Sequence, residues 1–182
     1  MKFIKENSSM IIRCVITHIG MTVFGLALFF ATNLQSQLLM LFASIFSAVF
    51  YGVILYSTMW EYGAKDKPAF DAGRRTGAAK CGFFASLIAE TVWIILALAI
   101  ICSSLAGANS AATVMYGIEF LFNSCFTGIE VYIKNNLIPY GAIVSGVVYI
   151  LGSLIISAVG AFGYVLGTKD ITIIPKKANA KK

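Results

Sequence analysis

Four long apolar runs limit what this chain can fold into more than any other feature. They cover residues 10–31, 38–60, 81–105 and 140–167. A helix needs about 20 residues to cross the roughly 30 Å hydrocarbon core of a bilayer, and each run is long enough. Only 12% of the residues are charged, which is about half the usual share in a soluble domain. The sequence therefore predicts an all-α integral membrane protein, a four-transmembrane-helix bundle that forms a single membrane domain.

The basic residues predict the orientation of this bundle. Every Lys and Arg except Lys134 precedes or opens the first run, lies between the second and third runs, or follows the fourth. Because basic residues are retained on the cytoplasmic side, both termini are expected in the cytoplasm. Short loops and an uncleaved first run are typical of a bacterial plasma (inner) membrane. A cleaved signal peptide is the alternative, but the run is long for one and Phe29 stands where a small residue is expected.

The segment between the third and fourth runs is too long for a simple turn and has helical periodicity. Apolar residues from Val114 to Ile133 recur on one face. The polar residues of the opposite face are Glu119, Asn123, Thr127, Glu130 and Lys134. A helix crossing the membrane here would move the C-terminal lysines outside and place two glutamates in hydrocarbon. The sequence therefore favours an amphipathic helix over residues 112–134 on the outer membrane surface, with its polar face in water.

Small and hydroxyl-bearing residues form a stripe along the fourth run. Its members are Ala142, Gly146, Tyr149, Ser153, Gly160, Tyr164 and Gly167. Helices in lipid associate through such residues, so this face is expected to point into the bundle.

Glu90 is the one acidic residue inside a predicted span. It lies ten residues beyond Lys80, which places it about 15 Å deep, near the middle of the bilayer. A charged carboxylate there costs at least about 3 kcal/mol, so it needs a partner or a proton. His18, at a similar depth in the first run, is the candidate partner. The candidate intramembrane polar site consists of Glu90, His18, Tyr51, Tyr149 and Ser86. This site either binds a proton, a cation or a polar substrate group, or only holds helices together.

The segment 61–80, between the second and third runs, is predicted to be a cytoplasmic loop. It contains three acidic residues that topology does not require, and Pro68 and Gly73 are expected to interrupt any helix. We consider it a candidate docking surface with the residues Lys65, Asp66, Lys67, Arg74 and Arg75. The basic tail, residues 168–182, is expected to lie on the anionic lipid of the inner leaflet.

The sequence offers little for catalysis, metals or cofactors. Four cysteines without a CxxC pair and a single histidine predict no metal site, and no cofactor is expected. The cysteines are expected to be small packing residues, with a Cys102–Cys125 disulfide as the alternative. The stretch GRRTGAAK lacks the lysine that a Walker motif has directly after its second glycine. Topology already explains the positive charge, so no nucleic-acid partner is expected.

Two functions fit these features. The first is a non-enzymatic accessory, assembly or partner-binding subunit, indicated by the charged loop, the amphipathic segment and the lack of a catalytic constellation. The second is a small transporter or channel subunit that uses a polar path through Glu90 and His18. Membrane lipids surround the protein in both, and a homo- or hetero-oligomer is expected. A membrane-embedded enzyme is the third alternative.

Overall fold

The described part of the chain is built from helices. The computed structural model describes residues 2–137 and 141–171. The helices are α1 (Lys2–Glu6), α2 (Ser8–Thr32), α3 (Gln37–Asp71), α4 (Ala78–Leu105), α5 (Asn109–Phe122), α6 (Thr127–Asn136) and α7 (Gly141–Thr168), with a 3-10 turn at Ser124–Phe126 between α5 and α6. Helices α2, α3, α4 and α7 are long and apolar enough to cross a membrane. Tyr140, at the predicted start of the fourth span, and the predicted tail beyond Ile171 lie outside the described residues.

The four long helices form a bundle in which α7 is central. Helix α7 packs along both α3 and α4, while α2 packs against α3 and α4. Successive long helices run in opposite directions, so the bundle has two ends. One end holds the C-terminus of α3, and we call it the Asp66 end. The other holds the C-terminus of α6, and we call it the Lys134 end.

The stripe predicted along the fourth span is confirmed as a packing face. Of its seven members all but Ala142, which is half-buried, are buried against other helices. Gly167 of the stripe and its neighbour Gly163 allow main chains to touch, because a Cβ on Gly167 would overlap the carbonyl oxygen of Trp60, and one on Gly163 would lie 2.6 Å from that of Tyr56. Helices α3 and α7 therefore approach closely near the Asp66 end.

We expect Gly167→Ala to destabilise the bundle by about 1–3 kcal/mol, since the added methyl group meets backbone rather than a movable side chain. Gly20→Ala is the matched control, because a Cβ at Gly20 meets nothing within 4 Å. The measurement is thermal unfolding in detergent micelles, followed by circular dichroism. Equal midpoints for the two variants would show that the α3–α7 crossing tolerates separation.

The prediction of a loop over residues 61–80 is wrong for most of that segment. Helix α3 continues to Asp71 and α4 begins at Ala78, which leaves only residues 72–77 outside helices. Pro68 lies inside α3 and does not end it. Two features explain the extension: Gly63 lies against the backbone of α7 at Tyr164, and Gly73 supplies the positive φ of 66° that follows the helix end. Tertiary packing thus outweighs the single backbone bond that proline removes.

The predicted surface helix over residues 112–134 is also wrong in two respects. Asn123 and the 3-10 turn interrupt it, so α5 and α6 are two separate helices. The faces are reversed as well: Glu119, Asn123, Thr127 and Glu130 are 0–2% exposed, whereas Val114, Ile118 and Leu121 are exposed. Periodicity detects that the two faces differ, but it does not determine which one points inward.

Helices α5 and α6 form a broken hairpin that enters the bundle from the Lys134 end. Helix α5 has 14 residues and so descends about 21 Å. The 3-10 turn at its foot contacts α2, α3 and α7, and α6 then returns toward the Lys134 end. We call residues 109–136 the inserted hairpin.

Candidate functional site

Four helices place polar side chains around Glu90 in the centre of the bundle. The Glu90 carboxylate accepts hydrogen bonds from the Tyr51 hydroxyl (2.6 Å, to Oε1) and from the Ser153 hydroxyl (3.2 Å, to Oε2). His18 Nδ1 lies 3.0 Å from Glu90 Oε1 and 3.1 Å from the Tyr51 hydroxyl. Glu90, His18 and Tyr51 are 2–3% exposed. The His18–Glu90 pair is therefore enclosed by protein, and its mutual contact and the two hydroxyl hydrogen bonds offset part of the cost of its burial.

A backbone carbonyl group determines which nitrogen of the His18 ring carries a hydrogen. Its Nε2 lies 3.0 Å from the carbonyl oxygen of Phe122. A carbonyl oxygen can only accept, so Nε2 carries a hydrogen and donates it. One further proton is then shared along the contact between Nδ1 and Glu90 Oε1. It resides either on the carboxyl or on the imidazole, and the net charge of the pair is zero in both cases.

Aromatic rings cover the imidazole. Trp93 stacks on His18 with ring centroids 5.2 Å apart and an interplanar angle of 9°. The Phe122 ring in turn stacks on Trp93, with their ring centroids 4.5 Å apart. The two rings exclude solvent from the pair on the side where α4 meets the inserted hairpin.

Side chains of α2 and α3 satisfy the backbone where the inserted hairpin breaks. The Thr22 hydroxyl donates to the carbonyl oxygen of Phe122 (2.7 Å), and the Ser44 hydroxyl donates to that of Cys125 (2.6 Å). In return, the Ser124 hydroxyl donates to the carbonyl oxygen of Thr22 (2.7 Å). Buried backbone outside a regular helix needs such partners. The polar residues of α2 and α3 thus stabilise a non-helical turn near the centre of the bundle.

The inserted hairpin adds two more buried carboxylates. Glu119, at the end of α5, accepts a 2.6 Å hydrogen bond from the Asn123 side-chain amide. Glu130, on α6, accepts hydrogen bonds from Ser145 (2.6 Å) and Tyr116 (3.2 Å), and its other close partner is the ammonium of Lys134 at 3.2 Å. Both glutamates are 0% exposed, whereas the Lys134 side chain is 29% exposed. Glu130 is therefore the carboxylate nearest to the surface at the Lys134 end.

A separate polar cluster closes the Asp66 end. Asp66 accepts hydrogen bonds from Arg75 (2.6 Å) and from the Tyr164 hydroxyl, and Arg75 also reaches the Asn7 side chain at 3.4 Å. Partial burial alone would lower the pKa of the Arg75 guanidinium, but the Asp66 carboxylate raises it, and the net shift is upward. This cluster ties α2, α3 and α7 to the loop before α4.

The five candidate docking residues differ in their exposure and in their partners. Asp66 and Arg75 are bonded to each other and to the bundle. Lys65 lies over the ring of Tyr62 and Lys67 lies 3.9 Å from Asp170, while Arg74 is exposed. Most of the segment is thus part of α3 and α4, and several of its charged side chains contact neighbouring residues of the protein.

The structure brings together three of the five predicted site residues. Glu90, His18 and Tyr51 are in direct contact, whereas Tyr149 and Ser86 are buried but have no hydrogen-bond partner among the described residues. Sequence reasoning missed Ser153, which the spacing of four from Tyr149 and the predicted stripe could have indicated. It also missed Glu119 and Glu130 as interior residues, because it placed their face in water.

The cysteines and acidic groups do not form a metal site. Among the described residues, no group of three or more His, Cys, Asp or Glu side chains is arranged to hold a metal ion. The alternative of a Cys102–Cys125 disulfide is wrong: Cys102 is exposed, while Cys125 is buried inside the inserted hairpin, and both are free thiols.

No family model, curated protein or solved structure matches this chain, so the geometry alone defines the candidate site.

Proposed function

We propose that the protein is a multi-pass membrane protein that acts as a small transporter or channel subunit, with Glu90 and His18 as the central site for a proton or small cation. The large apolar side chains of the long helices support insertion in lipid, since residues such as Phe42, Val92 and Ile155 are more than 60% exposed on the bundle surface. The distribution of Lys and Arg supports an orientation in which the Asp66 end and both termini face the cytoplasm of a bacterial inner membrane.

One observation carries this proposal: three carboxylates lie enclosed around a broken helix in the bundle. Glu90 is 2% exposed, and Glu119 and Glu130 are 0% exposed. Each costs about 3 kcal/mol or more at such a depth when charged, and neutral amides would fill the same space at lower cost. Interrupted helices near the midplane are also where transport proteins build their ion and substrate sites. A role in helix packing alone does not account for this combination.

The two features that favoured an accessory subunit are both altered by the fold. The charged loop is mostly a helical extension with an internal ion pair between Asp66 and Arg75, and the amphipathic segment turns its polar face inward. We propose no catalytic activity, because the His18–Glu90 pair is enclosed and the neighbouring Tyr51 and Ser153 hydroxyls donate to the Glu90 carboxylate rather than to the imidazole.

A partner-binding accessory subunit is the second candidate, and one specific observation favours it. An apolar groove of about 660 Å³ runs between α3 and α7 beside the inserted hairpin. Its floor includes Gly52, Gly152 and Phe126. A groove of this kind fits an apolar helix of another subunit or a lipid chain, and it is compatible with an oligomer.

The test is ion flux in proteoliposomes under an imposed pH or potential gradient. We expect the wild-type protein to dissipate the gradient and Glu90→Gln to reduce the flux to the level of empty liposomes. Glu61→Gln is the matched control, because it makes the same chemical change at an exposed carboxylate on α3. Dyes selective for H⁺, Na⁺ or K⁺ identify the ion. A wild-type protein without flux, or equal flux in Glu90→Gln, would contradict the transport proposal.

A further inference from the structure

We propose that the His18–Glu90 pair exchanges protons with solvent from the Lys134 end only, through a relay formed by Glu130, Tyr149 and Glu119. This inference deepens the proposed transport function and rests on it for its biological purpose. It specifies the proton as the transported ion, the Lys134 end as the side from which protons reach the pair, and the Asp66 end as the side that is closed to them.

The first step of the relay is Glu119. One of its carboxylate oxygens accepts from Asn123, and the other, Oε2, has no partner among the described residues although the side chain is fully buried. Its partner Asn123 directly follows Phe122, whose carbonyl oxygen accepts from His18 Nε2, so Glu119 lies next to the segment that contacts the central pair. Its unpartnered oxygen therefore belongs to the same enclosed polar region as the central pair.

The second step is a group of hydroxyls between Glu119 and Glu130. Tyr149 lies beside Thr127 and within electrostatic range of both glutamates. The hydroxyls of Tyr149 and Thr127 are 0% exposed and have no partner among the described residues. Buried polar atoms of this kind are normally paired with protein or ordered water. Their position between two buried carboxylates makes them the candidate link for water or a proton in transit.

Glu130 is the outer member of the relay. Its close contact with Lys134, which is 29% exposed, links it to the surface at the Lys134 end. The ammonium group also lies over the ring of Tyr116, 4.9 Å from its centroid. A proton that enters here meets a carboxylate whose remaining contacts are hydroxyls.

The other side of the central pair is closed by apolar side chains. Cys14, Leu55 and Met59 are 0–2% exposed and follow the pair toward the Asp66 end. The Cys14 thiol lies 3.5 Å from the Met59 sulfur, so α2 and α3 are in contact there. Ser86 lies one helical turn beyond Glu90 and packs directly against Gly160 of α7, where an added Cβ would overlap its hydroxyl oxygen. The next carboxylate, Asp66, lies beyond this layer.

The transfer conserves protons at every step. Glu119 acts in its protonated form: its O–H bond breaks and the new bond forms on the His18–Glu90 pair. Tyr149 then gives its hydroxyl proton to the Glu119 carboxylate and receives one from protonated Glu130, so no charge remains on the phenol. Glu130 takes up the replacement proton from solvent at the Lys134 end. The other titratable groups that interact electrostatically with Glu90 are Tyr51, Glu119, Cys14 and Cys125.

Trp93 provides a direct readout of this exchange. It stacks on His18 at 5.2 Å, and a protonated imidazole quenches indole fluorescence. The chain has two tryptophans, so Trp60→Phe leaves Trp93 as a single reporter. Liposome preparations of opposite protein orientation allow a rapid pH jump in the external medium to reach either end of the bundle.

We expect a fast fluorescence response when the jump reaches the Lys134 end and a response at least about tenfold slower from the Asp66 end. Glu119→Gln and Tyr149→Phe should each slow the fast response by at least about tenfold. Glutamine still accepts from Asn123, and Tyr149→Phe removes only an unpartnered hydroxyl, so both variants should fold. Glu61→Gln is the matched control and should respond as the parent does.

The outcomes separate this inference from the transport proposal. Equal responses from both ends, or an unchanged rate in both relay variants, would overturn the relay even if Glu90→Gln abolishes flux. A one-sided response that both variants slow would support the relay even if the protein carries no flux, and in that case the transport proposal would fail.

Discussion

Replacing His18 with leucine is expected to lower the free energy of unfolding by about 3–5 kcal/mol. The substitution removes the Nδ1 contact with Glu90 and the Nε2 hydrogen bond to the carbonyl oxygen of Phe122, and it leaves the Glu90 carboxyl buried without the imidazole that shares its proton. Breaking one side of a buried pair costs more than the pair contributes when intact, because the remaining charge is not hydrated. Chemical or thermal unfolding in a fixed detergent measures the effect.

The double variant His18→Leu with Glu90→Gln tests the reason for this loss. Glutamine removes the charge, its amide oxygen still accepts from Tyr51, and its NH2 group can donate to the Ser153 hydroxyl oxygen, so much of the lost stability should return. A double variant less stable than His18→Leu alone would show that the uncompensated charge is not the cause.

Adding a methyl group at Gly128 is expected to displace the inserted hairpin. A Cβ there would overlap the carbonyl oxygen of Met40 and lie 2.7 Å from the Ser44 Cβ, so α6 cannot keep its position against α3. Such overpacking costs about 1–3 kcal/mol and more where backbone must move. We expect Gly128→Ala to lower the unfolding midpoint and to expose the buried Cys125 thiol to maleimide, in a background with Cys81 and Cys102 replaced by serine and Cys14 by alanine.

Gly117→Ala is the matched control for this experiment. It lies in the same inserted hairpin, but a Cβ there meets nothing within 4 Å. Alanine is the better helix former by roughly 0.8–1 kcal/mol, so this variant should be as stable as the parent or more stable. If Cys125 is labelled equally slowly in both variants, the close approach of α6 to α3 is not what holds the inserted hairpin in the bundle.

The sequence was sufficient to predict the long helices, because it predicts them from properties of each apolar run alone, without reference to the rest of the fold. Run length and the absence of charge place α2, α4 and α7 within a few residues of their bounds. The pairing of Glu90 with His18 was also predictable, since depth along two helices can be counted from their ends at about 1.5 Å per residue. The same count could not select between Tyr51, Tyr149 and Ser86, because it carries no information on the rotation of one helix against another.

The inserted hairpin is the part of the fold that the sequence pattern predicted wrongly. The sequence predicted that Glu119 and Glu130 face water, because isolated carboxylates avoid hydrocarbon. Inside the bundle they meet Asn123 and Lys134, each four residues along the chain, and also Tyr116 of α5 and Ser145 of α7, which both contact Glu130. Only the assembled structure supplies the last two.

By itself, the sequence determined that the chain has four apolar helices, which spans carry interior polar groups, and that Glu90 requires a partner. The tertiary structure decided which way the amphipathic segment faces, where it breaks, and that Pro68 continues α3. The physical reason is that local pattern records the polarity of a residue, whereas the cost of burying it depends on hydrogen-bond partners far along the chain.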